Sequence, residues 1–149
     1  MKHPYLRFGL MVLTSTALML AMTYLNSWSV DHVYWSETRF YMALLMGAGM
    51  AVVMLLFMRP MYKNTKLNLS IVGTCVIAFA AALWLVRSQE TVGDVSWMRA
   101  MIPHHSIAIL TSERAHLQDP RVKELARGII EAQRREIEQM KKLVEELSD

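Results

Sequence analysis

Three uncharged apolar runs decide what this chain can fold into: Phe8–Leu25, Phe40–Met58 and Leu67–Val86, of 18, 19 and 20 residues. At about 1.5 Å of rise per residue, each reaches roughly 27–30 Å as a helix, the thickness of a hydrocarbon core. Backbone amides in lipid must bond within their own segment, so such runs are helices. The chain is therefore expected to cross a bilayer three times. Its 149 residues are 54% hydrophobic and 19% charged, more apolar than a usual soluble domain. Lys2 and Arg7 ahead of the first run resemble the start of a secretion signal. The run is long for that role, however, and passes into Tyr24-Leu25-Asn26 without a small-x-small cleavage site. It is read as a retained anchor.

Basic residues in the short flanks set the expected orientation. Lys2 and Arg7 precede the first span, and Arg59, Lys63 and Lys66 lie between the second and third. The first loop, Asn26–Thr38, has Asp31 and Glu37 but no Lys or Arg. The N-terminus and the second loop are thus expected in the cytoplasm and the C-terminal third outside, with Arg87 the one dissenting charge. Trp28, Tyr34 and Trp35 are expected at the outer interface, Tyr5 and Tyr62 at the inner one. The net charge of +3 follows largely from this topology, and no basic–aromatic pattern points to nucleic acid. The one cysteine, Cys75, lies within a span and reads as a packing residue.

Residues 1–88 form the expected membrane region and 89–149 an antiparallel helical hairpin, for an all-α fold. The first hairpin helix reads as about Val95–Leu117, with Asp94 as its N-cap. Gln118-Asp119-Pro120 breaks it, since Pro120 disfavours helical geometry at the residue before it. Asp119 then caps a second helix that runs to about Leu147, with Pro120 at its first position. Two heptad-like stripes follow. Trp97, Met101, His104, Ala108, Thr111 and Ala115 line the first helix; Val122, Ala126, Ile129, Gln133, Glu136, Met140, Leu143 and Leu147 line the second. Counting outward from Asp119 puts His104 near the level of Gln133 and Glu136, and Met98 level with Met140. An isolated pair of helices buries little, so a homodimer making a four-helix bundle is expected, with packing on the membrane region as the alternative.

Met101-Ile102-Pro103-His104-His105 carries the candidate chemistry. Both imidazoles lie three or four residues from the Met101 sulfur, and Met98 adds a thioether one turn earlier. Thioether and imidazole are soft donors suited to Cu(I) or Ag(I). The candidate ligands are Met98, Met101, His104, His105 and Met140. Gln133 and Glu136 are candidate supports that accept a histidine N–H and fix its tautomer. The competing reading places His104 hydrogen-bonded in the core and His105 in solvent.

Trp97-Met98-x-x-Met101-Ile102-Pro103-His104-His105-x-x-Ala108-Ile109 resembles the signature of the domain-of-unknown-function family 305. The resemblance continues through Asp119-Pro120 and Ile129-Ile130-x-Ala132-Gln133-x-x-Glu136-Ile137-x-x-Met140, over roughly residues 94–144. It implies a ferritin-like helical fold and, as in characterised members, periplasmic copper binding through Met and His. A bacterial cytoplasmic (inner) membrane is then the expected location. Family members often carry methionine where this chain has Thr111 and an aromatic where it has Leu143. They commonly have more than one helix pair, which points to a site completed by a second subunit.

The second span holds Met42, Met46, Met50, Met54 and Met58 at every fourth position. This row advances 400° per step and so winds around the helix. It resembles the Met-x-x-x-Met of the Ctr-type copper transporters, whose orientation is opposite, and it also suits plain packing. Ala43, Gly47 and Ala51 form a small-residue face beside it, as do Ser70, Thr74, Ala78 and Ala82 on the third span. Three functions are therefore open: an outer-side protein that captures or buffers Cu(I) or Ag(I), a copper transporter or channel subunit, and a dimerising membrane scaffold. No nucleophile–base pair or phosphate loop appears in the sequence, and an enzyme is not expected.

Overall fold

The computed structural model describes residues 3–148. They form five α-helices, with no strand among the described residues: α1 Pro4–Met22, α2 Glu37–Phe57, α3 Thr65–Ser88, α4 Asp94–Arg114 and α5 Pro120–Leu147. Short 3₁₀ turns at Val30–His32 and Arg59–Met61 punctuate the two loops between the first three helices. The chain divides into two compact units. One holds α1 and Thr38–Thr91; the other joins Thr23–Glu37 to the chain from Val92 onward. The first loop thus belongs with the hairpin.

In the first unit α1, α2 and α3 are each long and apolar enough to cross a membrane. Ala43, Gly47, Ala51 and Leu55 are the buried row of α2, one residue at each turn. A Cβ on Gly47 would lie 3.1 Å from Thr16 Cγ2 and closer still to its Oγ1, so the missing side chain is what lets α1 approach there. Asn64 caps α3 by accepting from the Leu67 amide at 3.1 Å. Tyr5 donates to Asn68 Oδ1 at 3.0 Å, and the Phe8 ring meets Tyr62 edge-on at 5.4 Å. Polar ends of α1 and α3 are joined by these contacts.

The second unit is built on α4 and α5. Asp119 caps α5 through the Arg121 amide at 2.8 Å, with Pro120 at the first helical position. The α4 boundaries differ from the sequence expectation. Gly93 is the N-cap and Asp94 the first helical residue, and α4 stops at Arg114 because Ala115 is extended. Extended backbone rises about 3.3 Å per residue against 1.5 Å in a helix, so the 115–119 connection displaces the cross-helix register. Glu113 pairs with Arg134 at 2.6 Å, and Arg99 donates to Ser148 at 3.2 Å. Both pairs sit farther from Asp119 on the α5 side than on the α4 side. The level count from Asp119 is corrected accordingly, and Met140 moves toward the level of His104 and His105.

The inner stripe is corrected as well. Met98, Ile102, Ser106 and Ile109 are the buried residues of α4 together with Pro103, and Ala126, Ile137, Met140 and Val144 those of α5. Of the expected stripe only Ala126 and Met140 are buried. Trp97 is 50% exposed, while His104, Thr111 and Ala115 face solvent. The physical reason is a third packing element. Tyr34 from the first loop lies against the Met98–Ile102–Ile109–Ile137–Met140–Val144 cluster and draws the neighbouring row of α4 inward.

Candidate functional site

The candidate layer is set by Pro103, which lies inside α4 and is buried. It donates no bond to the Arg99 carbonyl and is followed at once by the two histidines. The rings of His104 and His105 are 6.0 Å apart and tilted. They have different surroundings: His104 is exposed, whereas the side chain of His105 is 16% accessible. The expectation that His104 occupies the inner stripe is thus reversed, and so is the competing reading with His105 in solvent. His105 Nδ1 lies 3.0 Å from Glu136 Oε2 across the hairpin. Nδ1 is itself buried and meets no other hydrogen-bond partner among the described residues, so Glu136 is the polar group that faces it. Burial lowers the His105 pKa from its ordinary value, against the pull of Glu136.

Around this pair the other candidates divide into two groups. Met98 and Met140 lie in the buried cluster, and Met101 packs half-buried against it. Met101 is one turn before His105, and Met140 one turn beyond Glu136. Gln133 is half-buried and points an amide at Glu136 Oε2 from 3.5 Å. His105, Glu136, Gln133 and the two thioethers Met101 and Met140 are therefore gathered on one region of the hairpin; His104 is left outside it. Among the described residues no three His, Cys, Asp or Glu side chains come together. An ion held here must therefore draw on sulfur, as the soft donor set requires. In the first unit the methionine row follows its winding course: Met42 and Met46 are exposed, while Met50, Met54 and Met58 are half-buried.

A second polar cluster is not foreshadowed by the sequence motifs. The loop segment Trp28–His32 lies on the opposite side of α4. Ser106 is fully buried; its Oγ accepts from the Trp28 amide at 2.6 Å and lies 3.0 Å from His32 Nδ1. Asp31 pairs with Lys141 and with Ser29, and these partners hold its carboxyl well below the usual carboxylate range. Trp28 lines a cavity of about 270 Å³ with His32, Ile109 and Arg134. Ser106, His32 and Asp31 have the residue types of a hydrolase triad but not its geometry. The hydroxyl is sealed from solvent and already bonded to an amide, and Asp31 stands 3.8 Å from the imidazole. The cluster fastens the loop to the hairpin. Trp28 through its backbone amide and Tyr34 through its side chain join the loop to the hairpin. Asp31 and His32 are the available sequence signal, as polar residues set among aromatics in a short loop.

Burial also lowers the His32 pKa, with Lys141 adding to the effect. Because the folded chain keeps His32 and His105 neutral where the unfolded chain would protonate them, the unfolded chain binds more protons. This part of the stability is complete above the ordinary value of 6.5 and is lost as the pH falls below it. Hydrogen exchange across Thr23–Glu37, corrected for intrinsic rates, should therefore show protection falling between pH 7 and pH 5. His32→Gln should flatten that dependence. Equal protection at both pH values in the parent chain would dismiss the linkage.

These features define a class of protein: three apolar helices long enough to span a membrane, followed by a helical hairpin that gathers histidine, methionine and a carboxylate. Residues 82–148 match the family described as "Domain of unknown function (DUF305)". Over 126 residues the chain is 35% identical to "Uncharacterized protein L153" of Acanthamoeba polyphaga mimivirus, a match that covers 82% of this chain and 81% of that protein. The C-terminal part of the chain, residues 82–148, is a DUF305 domain. The match to the viral protein necessarily takes in α2 and α3 together with α4, so that likeness extends to both units. No solved structure matches the chain.

Proposed function

We propose that this protein is a membrane-anchored, extracytoplasmic metal-binding protein that captures or buffers Cu(I) or Ag(I). The observation that carries the reading is the buried imidazole of His105 with Glu136 Oε2 3.0 Å from its Nδ1, beside the thioethers of Met101 and Met140. An imidazole kept neutral by burial offers its lone pair at no protonation cost. Met101 and Met140 supply the soft sulfur, and Glu136 supplies negative charge beside the cation. Gln133 holds the carboxylate in place. His104 is exposed and suits a first contact with incoming metal. The chemistry is reversible ligation, and the reading includes no turnover. Positive-inside asymmetry supports a hairpin on the outer side, periplasmic in a bacterial inner membrane.

Titrating Cu(I) into the detergent-solubilised full chain against a chelator of known affinity tests the reading. Met101→Leu and His105→Ala should each weaken binding at least tenfold, and Glu136→Gln by about tenfold as the loss of a supporting carboxylate. His104→Ala should have the smallest effect. Affinity unchanged in both Met101→Leu and His105→Ala would sink the proposal. So would a wild-type chain that leaves all the metal with a micromolar chelator.

A further inference from the structure

The hairpin has two long sides, and they are finished differently. On one side Ser106 of α4 and Lys141 of α5 receive the loop through Trp28, His32 and Asp31. At 3.6 residues per turn the opposite side carries Trp97, Met101, His105, Ala108 and Ser112 from α4. From α5 the same side takes Val122, Leu125, Ile129, Glu136, Leu143 and Leu147. Within its own unit this side has no cover: Trp97 is 50% exposed, Leu125 64% and Leu147 56%. Most of these positions belong to the heptad-like stripes of the sequence, which the intrachain core does not use. A second helical seam is left over.

Three observations choose the occupant. First, spacings of four and three sustained along both helices suit helix-on-helix packing, which a second copy supplies. Second, the charges on the face are Asp94, Glu136 and, at the turn, Arg121, which is already paired with Asp119 at 2.8 Å. A helix lying on an anionic bilayer carries a basic rim; here Arg135 and Lys142 edge the face on α5, but Glu124 and Glu146 stand among them and leave no basic excess. Third, the face is large enough. A strip about 30 Å long and roughly 20 Å wide offers about 600 Å² per copy, or about 1,200 Å² between two, the lower bound for a stable specific contact. Ala108, Ser112, Gly128 and Ala132 near the seam allow close approach.

We propose that this face packs against a second copy of the chain to make a four-helix bundle. The copies meet through the same patch, as twofold contacts do. Each then brings its own Met101, His105 and Glu136 to the seam, so one metal layer is shared. That last clause rests on the metal-binding reading; the seam itself does not.

The mass of the full chain in detergent micelles, measured metal-free at about 10 µM by light scattering, should be that of two copies. Ile129→Lys combined with Leu143→Lys should give one copy with helical content unchanged, whereas Glu131→Lys on the far side of α5 should leave two. A wild-type mass of one copy, or a dimer that survives both lysines, overturns the seam. A nitroxide placed through Ile129→Cys in a Cys75→Ala background should be shielded from both oxygen and an aqueous nickel complex in reconstituted bilayers. Access to oxygen with exclusion of nickel would assign the face to lipid and also overturn it. A metal-free dimer that binds no Cu(I) keeps the seam and removes the metal reading. Tight Cu(I) binding by a monomer does the reverse.

Discussion

Ile102→Asp should unfold the α4–α5 hairpin, while His104→Asp, two residues away, should leave it folded. Ile102 has no exposed surface and sits in the cluster formed with Met98, Ile109, Ile137, Met140 and Val144. A carboxylate there has no partner, and burying an unpaired polar or charged group costs several kcal/mol at least. Losses above about 4 kcal/mol are uncommon for single substitutions, and they arise by this mechanism. A two-helix unit with one cluster has little in reserve against such a loss. Far-UV circular dichroism of the full chain in detergent should fall by roughly two-fifths. That is the share held by α4 and α5, with 21 and 28 residues beside 19, 21 and 24 in the three apolar helices. His104 is exposed, and surface changes away from special features usually stay within about 0.5 kcal/mol. Ile102→Val should cost only about 0.5–1.5 kcal/mol, showing that the aspartate and not the position is at fault. If His104→Asp unfolds the hairpin and Ile102→Asp does not, the inward row is the one with Met101 and His104.

That contrast also marks where the sequence stops being readable. The apolar runs are legible because a bilayer imposes length and composition directly, and α1, α2 and α3 overlap the three expected spans. The hairpin is legible because Asp119-Pro120 is a cap and a first-turn proline in one dipeptide. The facing of α4 is not legible, because two adjacent rows are both apolar enough to go inward. Met101, Ala108 and Trp97 compete with Met98, Ile102 and Ile109, and periodicity alone gives no preference. The choice is made by Tyr34 and the loop segment Trp28–His32, some 70 residues upstream in the chain. The same long-range contact explains why Ser106 gives no signal in the sequence: a serine gains meaning only from the amide that reaches it. For the candidate site, donor types are legible and donor positions only partly. His105 and Glu136 come together at 3.0 Å, whereas His104 turns to solvent.

Ser106→Ala should release the first loop from the hairpin, an effect larger than any substitution in the Asp31–Lys141 pair. The pair is the more conspicuous contact, and it holds the Asp31 carboxyl far below its usual range. Asp31 is nonetheless 61% accessible, and solvent screening leaves exposed ion pairs little net value. Ser106 is fully buried, and its oxygen serves both the Trp28 amide at 2.6 Å and His32 Nδ1 at 3.0 Å. Removing it strands two polar groups away from water, at about 1–3 kcal/mol for each group left unsatisfied. The loop can recover that energy only by leaving the hairpin and exposing both groups to solvent. Its docking equilibrium should shift by roughly thirtyfold or more, since the two groups together lose at least about 2 kcal/mol and about 1.4 kcal/mol is a factor of ten. Hydrogen exchange at Thr23–Glu37 reads this directly, and Lys141→Ala should move it far less. Ser106→Ala combined with His32→Ala should cost less than the two single changes added together, because both remove one shared contact. Strict additivity would mean that Ser106 and His32 act separately, and the loop would then be held by the ion pair and by Tyr34 against the cluster.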